Sequence, residues 1–287
     1  MKKHQLIACI AMALGLILAI AGFAMAEFDL NKLDTQGPYT TQAHTFSAQD
    51  VGAIRVSNGD ANISILPSSD ESVHVSVTFG RNERYQVGVD AERVLAIEYV
   101  SEYKWFERLV QLSFGLADAG VKVYVPKGLM VPIALSNSTG KIAASGVSAT
   151  ALTLHNATGD VRADNVTAES IDVTTSTGTL SLEQLSADRL AATTATGRID
   201  LRQARVRELR ATAGTGSIAL EGVDAQDIVL SADTGNVSGT LAGAQADYAI
   251  QARTGTGFSS LPQERAGGPR KLNAKTGTGA INVKFEQ

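Results

Sequence analysis

The chain has 287 residues, 44% of them hydrophobic and 19% charged, with a formal net charge of −4. That balance excludes a disordered chain and leaves no general attraction for nucleic acid or anionic lipid. The single cysteine, Cys9, excludes an intramolecular disulfide and a cysteine-based zinc site.

Lys2 and Lys3 precede an uncharged apolar run from Leu6 to Ala26. As a helix this run reaches about 30 Å, the thickness of a bilayer core. The lysines are expected to stay cytoplasmic, which puts everything after residue 26 outside. Residues 1–26 are therefore read as one N-terminal signal-anchor helix, meeting the membrane through residues 6–26. Ala24-Met25-Ala26 before Glu27 also fits a signal-peptidase site, and cleavage after Ala26 would release the same domain as a secreted protein. Residues 27–45 are polar, contain Gly37-Pro38 and read as a linker.

Residues 46–135 form an irregular N-terminal β part. Ile54 to Ile65 reads as strand, glycine turn, strand around Gly59. Val73 to Phe79 and Arg93 to Val100 alternate as strands do. An insertion near 102–115 carries Trp105, Phe106, Leu109, Val110, Leu112 and Phe114. Trp105 and Phe106 are the candidate contact surface, facing a membrane or a partner, or else sealing the end of the core. Val121 to Val125 is another strand, stopped by Pro126.

Residues 136–287 are regular. A Thr-Gly pair recurs with its glycine at Gly140, Gly159, Gly178, Gly197, Gly216 and Gly235, nineteen residues apart each time, and then at Gly257 and Gly279 after intervals of twenty-two. A fixed period near twenty marks a solenoid. Apolar columns such as Leu180, Ile199 and Ile218, or Leu182, Leu201 and Leu220, alternate with polar columns such as Glu183, Arg202 and Glu221. Steps of two mean strands with one face inside. The aromatic side chains that anchor most globular cores are missing from Val125 to Asp247. The expected fold is all-β: a parallel β-solenoid of coils of 19–22 residues after one N-terminal helix. The eight glycines are expected to turn the chain with positive φ, and the threonines before them to stack as a ladder. The small column Ala149, Ala168, Ala187, Val206, Ala225 and Ala244 is expected to mark a tight corner.

Outward carboxylates include Asp160, Asp164, Asp172, Asp200 and Asp233. They are interspersed with Arg162, Arg189, Arg202 and Arg210 and read as a solvated face. His4, His44, His74 and His155 show no metal-ligand spacing. No nucleophile elbow or phosphate loop is present, so no catalytic residue, cofactor or metal is expected. The outward column Thr174, Thr193, Thr212 and Ser231 reads as β-propensity, with ice or a polysaccharide as the alternative partner.

The serial Thr-Gly-x-Ile/Val/Leu coils resemble the bacterial putative adhesin family, a domain of unknown function with β-strand repeats and membrane-anchored Gram-positive members. Asn58-Gly59-Asp60-Ala61-Asn62-Ile63, Ser138-Thr139-Gly140-Lys141-Ile142 and Lys122-Val123-Tyr124-Val125-Pro126-Lys127 carry the resemblance, which spans residues 46–285. It implies a place in the cell envelope and no catalytic residues. The expectation is a non-enzymatic, single-pass surface module that binds an unknown envelope polysaccharide or protein and no nucleic acid. The alternatives are a component of an envelope-stress system and a carbohydrate-active β-helix enzyme.

Overall fold

The computed structural model describes residues 39–80, 83–101 and 119–286. The apolar run 6–26 and the insertion with Trp105 and Phe106 lie outside the described residues. No helix among the described residues is long and apolar enough to cross a membrane.

The N-terminal strands are β1 (Thr40–Ser47), β2 (Ala53–Asn58), β3 (Asn62–Pro67), β4 (Ser72–Phe79), β5 (Glu83–Val89), β6 (Val94–Ser101), β7 (Gly120–Val125), β8 (Ile133–Thr139) and β9 (Ile142–Ser145). The repeats give β10 (Ser148–Thr158), β11 (Val161–Thr177), β12 (Leu180–Thr196), β13 (Ile199–Arg202), β14 (Arg205–Thr215), β15 (Ile218–Thr234) and β16 (Val237–Ala242). The last strands are β17 (Tyr248–Thr256), β18 (Glu264–Arg265), β19 (Arg270–Thr278) and β20 (Ile281–Glu286). β1 pairs with β4 and takes in the end of the stretch read as a linker, 40–45. Its first four residues are all exposed, which is why no inward period was visible there.

The chain forms two compact units. The larger comprises 42–77, 85–100 and 120–287 and contains the stack described below; described residues of the smaller include Thr41 and Thr78, whose hydroxyls lie 2.9 Å apart.

Parallel pairing at a fixed offset builds the stack. β11 lies beside β12 from Val161↔Leu180 to Thr177↔Thr196. β12 lies beside β13 and β14, and these beside β15, at the same offset of nineteen. One period is thus one rung, and every residue sits over its counterpart. The fold is all-β and solenoid-like.

Each rung has three inward stretches. In β11 they are Val161 and Ala163, then Val166 and Ala168, then Ile171, Val173 and Thr175, all buried. The Thr-Gly pair makes one corner. A second corner falls at Gly146, Asn165, Gln184, Gln203 and Gly222, with φ of 63, 51, 54, 50 and 60°. The third break in alternation comes where two successive residues, such as Glu169 and Ser170, both face outward. The small column, expected to mark a tight corner, instead sits between these two breaks, three residues after the positive-φ corner. It is not confined to alanine, since Val206 fits there at 6% exposure. Leu180, Leu182, Leu185 and Leu190 fill one rung and are at most 1% exposed. Burial of each such side chain contributes about 1.5–3 kcal/mol before chain entropy is set against it.

Both ends of the stack depart from sequence order. At the C-terminal end β19, not β17, pairs with β15, through Ile228↔Leu272 and Thr234↔Thr278. β17 then lies outside β19, and β20 lies beside β16. At the N-terminal end β2 is held between β6 and β8, and β3 between β7 and β9. The first and last rungs to be expected from the sequence are therefore each exchanged with a neighbour.

Candidate functional site: an outer cleft along the rungs

The Thr-Gly corner has its own chemistry. The eight glycines have φ between 120 and 152°, a region that disfavours side chains. A Cβ on Gly197 would stand 1.9 Å from the carbonyl oxygen of Gly178, and one on Gly216 would stand 1.7 Å from that of Gly197. Glycine is thus required twice at this position, by backbone conformation and by the rung beneath. The threonines before the glycines are all exposed and lie side by side in the order 139, 158, 177, 196, 215, 234, 278, 256.

A buried polar column supports the corner from inside. Asn156 Nδ2 donates to Gly140 O at 2.8 Å, and the hydroxyls of Thr175 and Thr194 donate to Gly159 O and Gly178 O at 3.3 and 3.4 Å. Thr276 and Thr254 repeat the contact at 2.8 and 3.0 Å to Gly235 O and Gly279 O. The buried amides of Asn58 and Asn137 both donate to Ala61 O. Polar residues at these positions read as outward in the sequence, which hides the column there. The signal that could have found it is position: they lie two residues beyond an inward apolar column, on the same face.

The functional candidate is outside. Between two columns of outward side chains runs a cleft of about 630 Å³. One wall is Ser170, Arg189, Glu208, Asp227 and Lys271; the other includes Thr153, Asp172 and Arg210. Register places these on six successive rungs, from β10 through β11, β12, β14 and β15 to β19. At about 4.8 Å per rung the cleft extends roughly 25 Å. Asp227, Val229 and Lys271 also line a second cavity of about 390 Å³, which continues the cleft under Glu264, Arg265 and Ala266. Arg265 is tied down by Nη1 bonds to the carbonyls of Gln245, Ala246 and Tyr248, at 3.0, 3.1 and 2.7 Å.

The charges in the cleft are not all neutralised. Glu208 pairs with Arg207 at 2.5 Å and Asp227 with Lys271 at 3.6 Å. Arg207 also grips Asp188 on the neighbouring rung through Nε and Nη2, at 2.6 and 2.9 Å, and this holds the Asp188 carboxyl below the usual carboxylate range. Among the described residues Arg189 and Arg210 form no ion pair. Arg162 and Arg202, by contrast, are paired with Glu183 and Glu221 at 3.8 and 3.4 Å. Of the five outward carboxylates singled out in the sequence, Asp172 alone lines the cleft, and it accepts from Thr174 at 3.3 Å. Asp160 accepts from the amide of Thr179, and Asp200 pairs with Arg198. Asp164 is half-buried and Asp233 exposed.

His44, His74 and His155 stay apart, and His4 lies outside the described residues. His74 Nε2 lies 2.9 Å from Asp70, whose carboxyl is held low by the backbone amide of Ser72 and then by His74. His155 is exposed, and His44 stacks near Phe46 with 6.4 Å between ring centres. Among the described residues no three His, Cys, Asp or Glu side chains converge to hold a metal.

A parallel stack of nearly identical rungs with a continuous outer cleft defines a repeat-built domain rather than a closed pocket protein. The chain belongs to the Toastrack DUF4097 family, whose model matches residues 51–285. Its fold is similar to the crystal structure of a putative adhesin from Parabacteroides merdae, at 14% identity and a TM-score of 0.53, over 88% of this chain and 97% of that one. It is also similar to that of a putative adhesin from Bacteroides fragilis, at 13% identity and a TM-score of 0.52, over 85% and 97% of the two chains. No curated protein matches the chain.

Proposed function

We propose that this protein is a non-enzymatic extracytoplasmic module that binds a cell-envelope polymer or partner along its outer face. In this reading the rungs are the coils of one parallel β-solenoid, and the apolar run 6–26 anchors them to the membrane as a single pass. The observation that carries the reading is the cleft, which crosses six rungs and is lined by outward side chains in register. An elongated cleft of this kind suits a chain-like ligand rather than a compact one. The names of the similar solved proteins, putative adhesins, are in keeping with it.

The test is retention. Full-length protein is incubated with whole envelopes of a Gram-positive bacterium, and what it retains is identified. Retention of a defined wall polymer or envelope protein is the expected result; retention of nothing above a bead control rejects the reading. Fractionation tests the anchor separately. The full-length chain should sediment with membranes, and recovery of a soluble form beginning at Glu27 would replace the anchor with a cleaved signal peptide.

A further inference from the structure

We propose that the cleft recognises an acidic polysaccharide whose carboxylates are bound by Arg189 and Arg210. The inference rests on the polymer-binding reading above and gives it a chemical class.

Arg189 and Arg210 sit on adjacent rungs and on opposite walls, since Glu208 lies beside Arg189 and Ala191 beside Arg210. Both are exposed and neither has an ion-pair partner among the described residues. Arg189 lies near enough to Asp188 to help hold that carboxyl low, but an exposed guanidinium outside any ion pair keeps its N–H fork for a carboxylate. The remaining cleft charges limit the choice of anion. Arg189, Arg210 and Lys271 stand against Asp172, Glu208 and Asp227. With three cations against three anions the cleft has no net positive field, so charge density alone selects no ligand there and individual guanidinium forks and hydroxyl contacts must do so. A uronic-acid chain supplies both, a planar carboxylate that matches a guanidinium fork and ring hydroxyls on the same residue. Asp172, whose only side-chain partner among the described residues is Thr174, can accept from those hydroxyls. Among the described residues no aromatic ring lines the cleft, so there the charged groups supply the specificity that stacking gives to neutral sugars.

The experiment titrates full-length protein in detergent with oligogalacturonate, with the same oligomer after carboxyl reduction, and with poly(glycerol phosphate). Arg189→Gln, Arg210→Gln, the double variant and the control Arg162→Gln are compared, each first shown to melt as the unaltered protein does. The expected result is binding of oligogalacturonate alone, weakened severalfold by each cleft substitution, at least tenfold by both together, and not by Arg162→Gln. Binding that is equal in the double variant, or that survives carboxyl reduction, overturns the proposal. So does binding of the phosphate polymer alone, or of none of the three. Envelope retention separates the two levels. If the double variant still retains the same envelope polymer, the arginine assignment fails while polymer binding stands. If the unaltered protein retains nothing, both fail.

Discussion

The amide of Gly235 donates to the carbonyl of Thr278 at 2.8 Å, although Thr256 is the next Thr-Gly threonine along the chain. The amide of Gly279 in turn donates to Thr256 at 2.9 Å. The two copies spaced by twenty-two residues are thus stacked in reverse order. Cysteine pairs can test this order in a Cys9→Ser background. Thr234→Cys with Thr278→Cys places Cα atoms about 4.8 Å apart, within disulfide range, whereas Thr234→Cys with Thr256→Cys leaves them about 10 Å apart. Mild oxidation should cross-link the first pair and not the second, read by mobility on a non-reducing gel. The reverse result would restore sequence order.

Gly197 should be far less replaceable than Gly222. Gly197→Val meets both an unfavourable φ of 149° and the carbonyl of Gly178, and should cost at least about 1–3 kcal/mol. At Gly222, with φ of 60°, an added Cβ meets nothing within 4 Å, so Gly222→Val bears conformational strain alone. Gly222→Asn should be close to neutral, because Asn165 holds the equivalent place at φ 51°. Thermal melts should rank them 197 valine, 222 valine, 222 asparagine, from lowest to highest midpoint. Equal midpoints for the first and last would remove the geometric requirement at Gly197.

Inward and outward positions can be separated one residue apart. Leu201 is fully buried between Leu182 and Leu220 in register. Leu201→Asp places a carboxyl among leucines and should cost several kcal/mol or force its protonation. Asp200→Ala removes a surface pair with Arg198 and should stay within about 1 kcal/mol. Urea midpoints check the contrast, and equal shifts would invert the assignment of faces.

The exchanged end should be sensitive to alkali. Tyr248 is fully buried, donates to Ala242 O at 2.7 Å and accepts from Arg270 Nη1 at 3.0 Å. Burial pushes its hydroxyl above the ordinary tyrosine value of 10.0. A raised folded value means its contribution is complete below the unfolded value and is lost as pH rises from there towards the folded one. Melting temperature should therefore fall as pH rises above about 10, and more steeply than in Tyr248→Phe, which has no phenol to ionise. Parallel slopes in the two proteins would show that Tyr248 does not govern the alkaline transition.

The middle of the fold was legible because the inward columns repeat: Leu180, Ile199 and Ile218 mark the same wall at every turn, and all are buried. Ends carry no such redundancy. Nothing in Thr256 or Thr278 differs enough to say which lies beside Thr234, since both have the same corner and flanking hydroxyl. The second corner escaped because Gln184 and Gln203 are unusual in a left-handed conformation. Their neighbours Gly146, Asn165 and Gly222, at multiples of nineteen, held the clue. The cleft was half visible. Its charges were seen as a mixture, but which arginines remain outside ion pairs depends on side chains meeting across rungs, as Arg162 meets Glu183 while Arg189 forms no ion pair among the described residues.

The exchanged ends also bear on how the protein is made and how it can change in length. A ribosome delivers β17 before β19, so β17 exists while the strand that must lie between it and β15 is still unsynthesised. Premature docking of β17 on β15 would occupy the place of β19, and completion of this end has to wait for β19. The same geometry restricts duplication. A unit of nineteen residues can be gained or lost between Gly140 and Gly235 without disturbing any neighbour relation, whereas a unit added at either terminus would have to displace an interleaved rung. Variation in rung number is therefore expected in the interior of the stack, with both ends kept as they are.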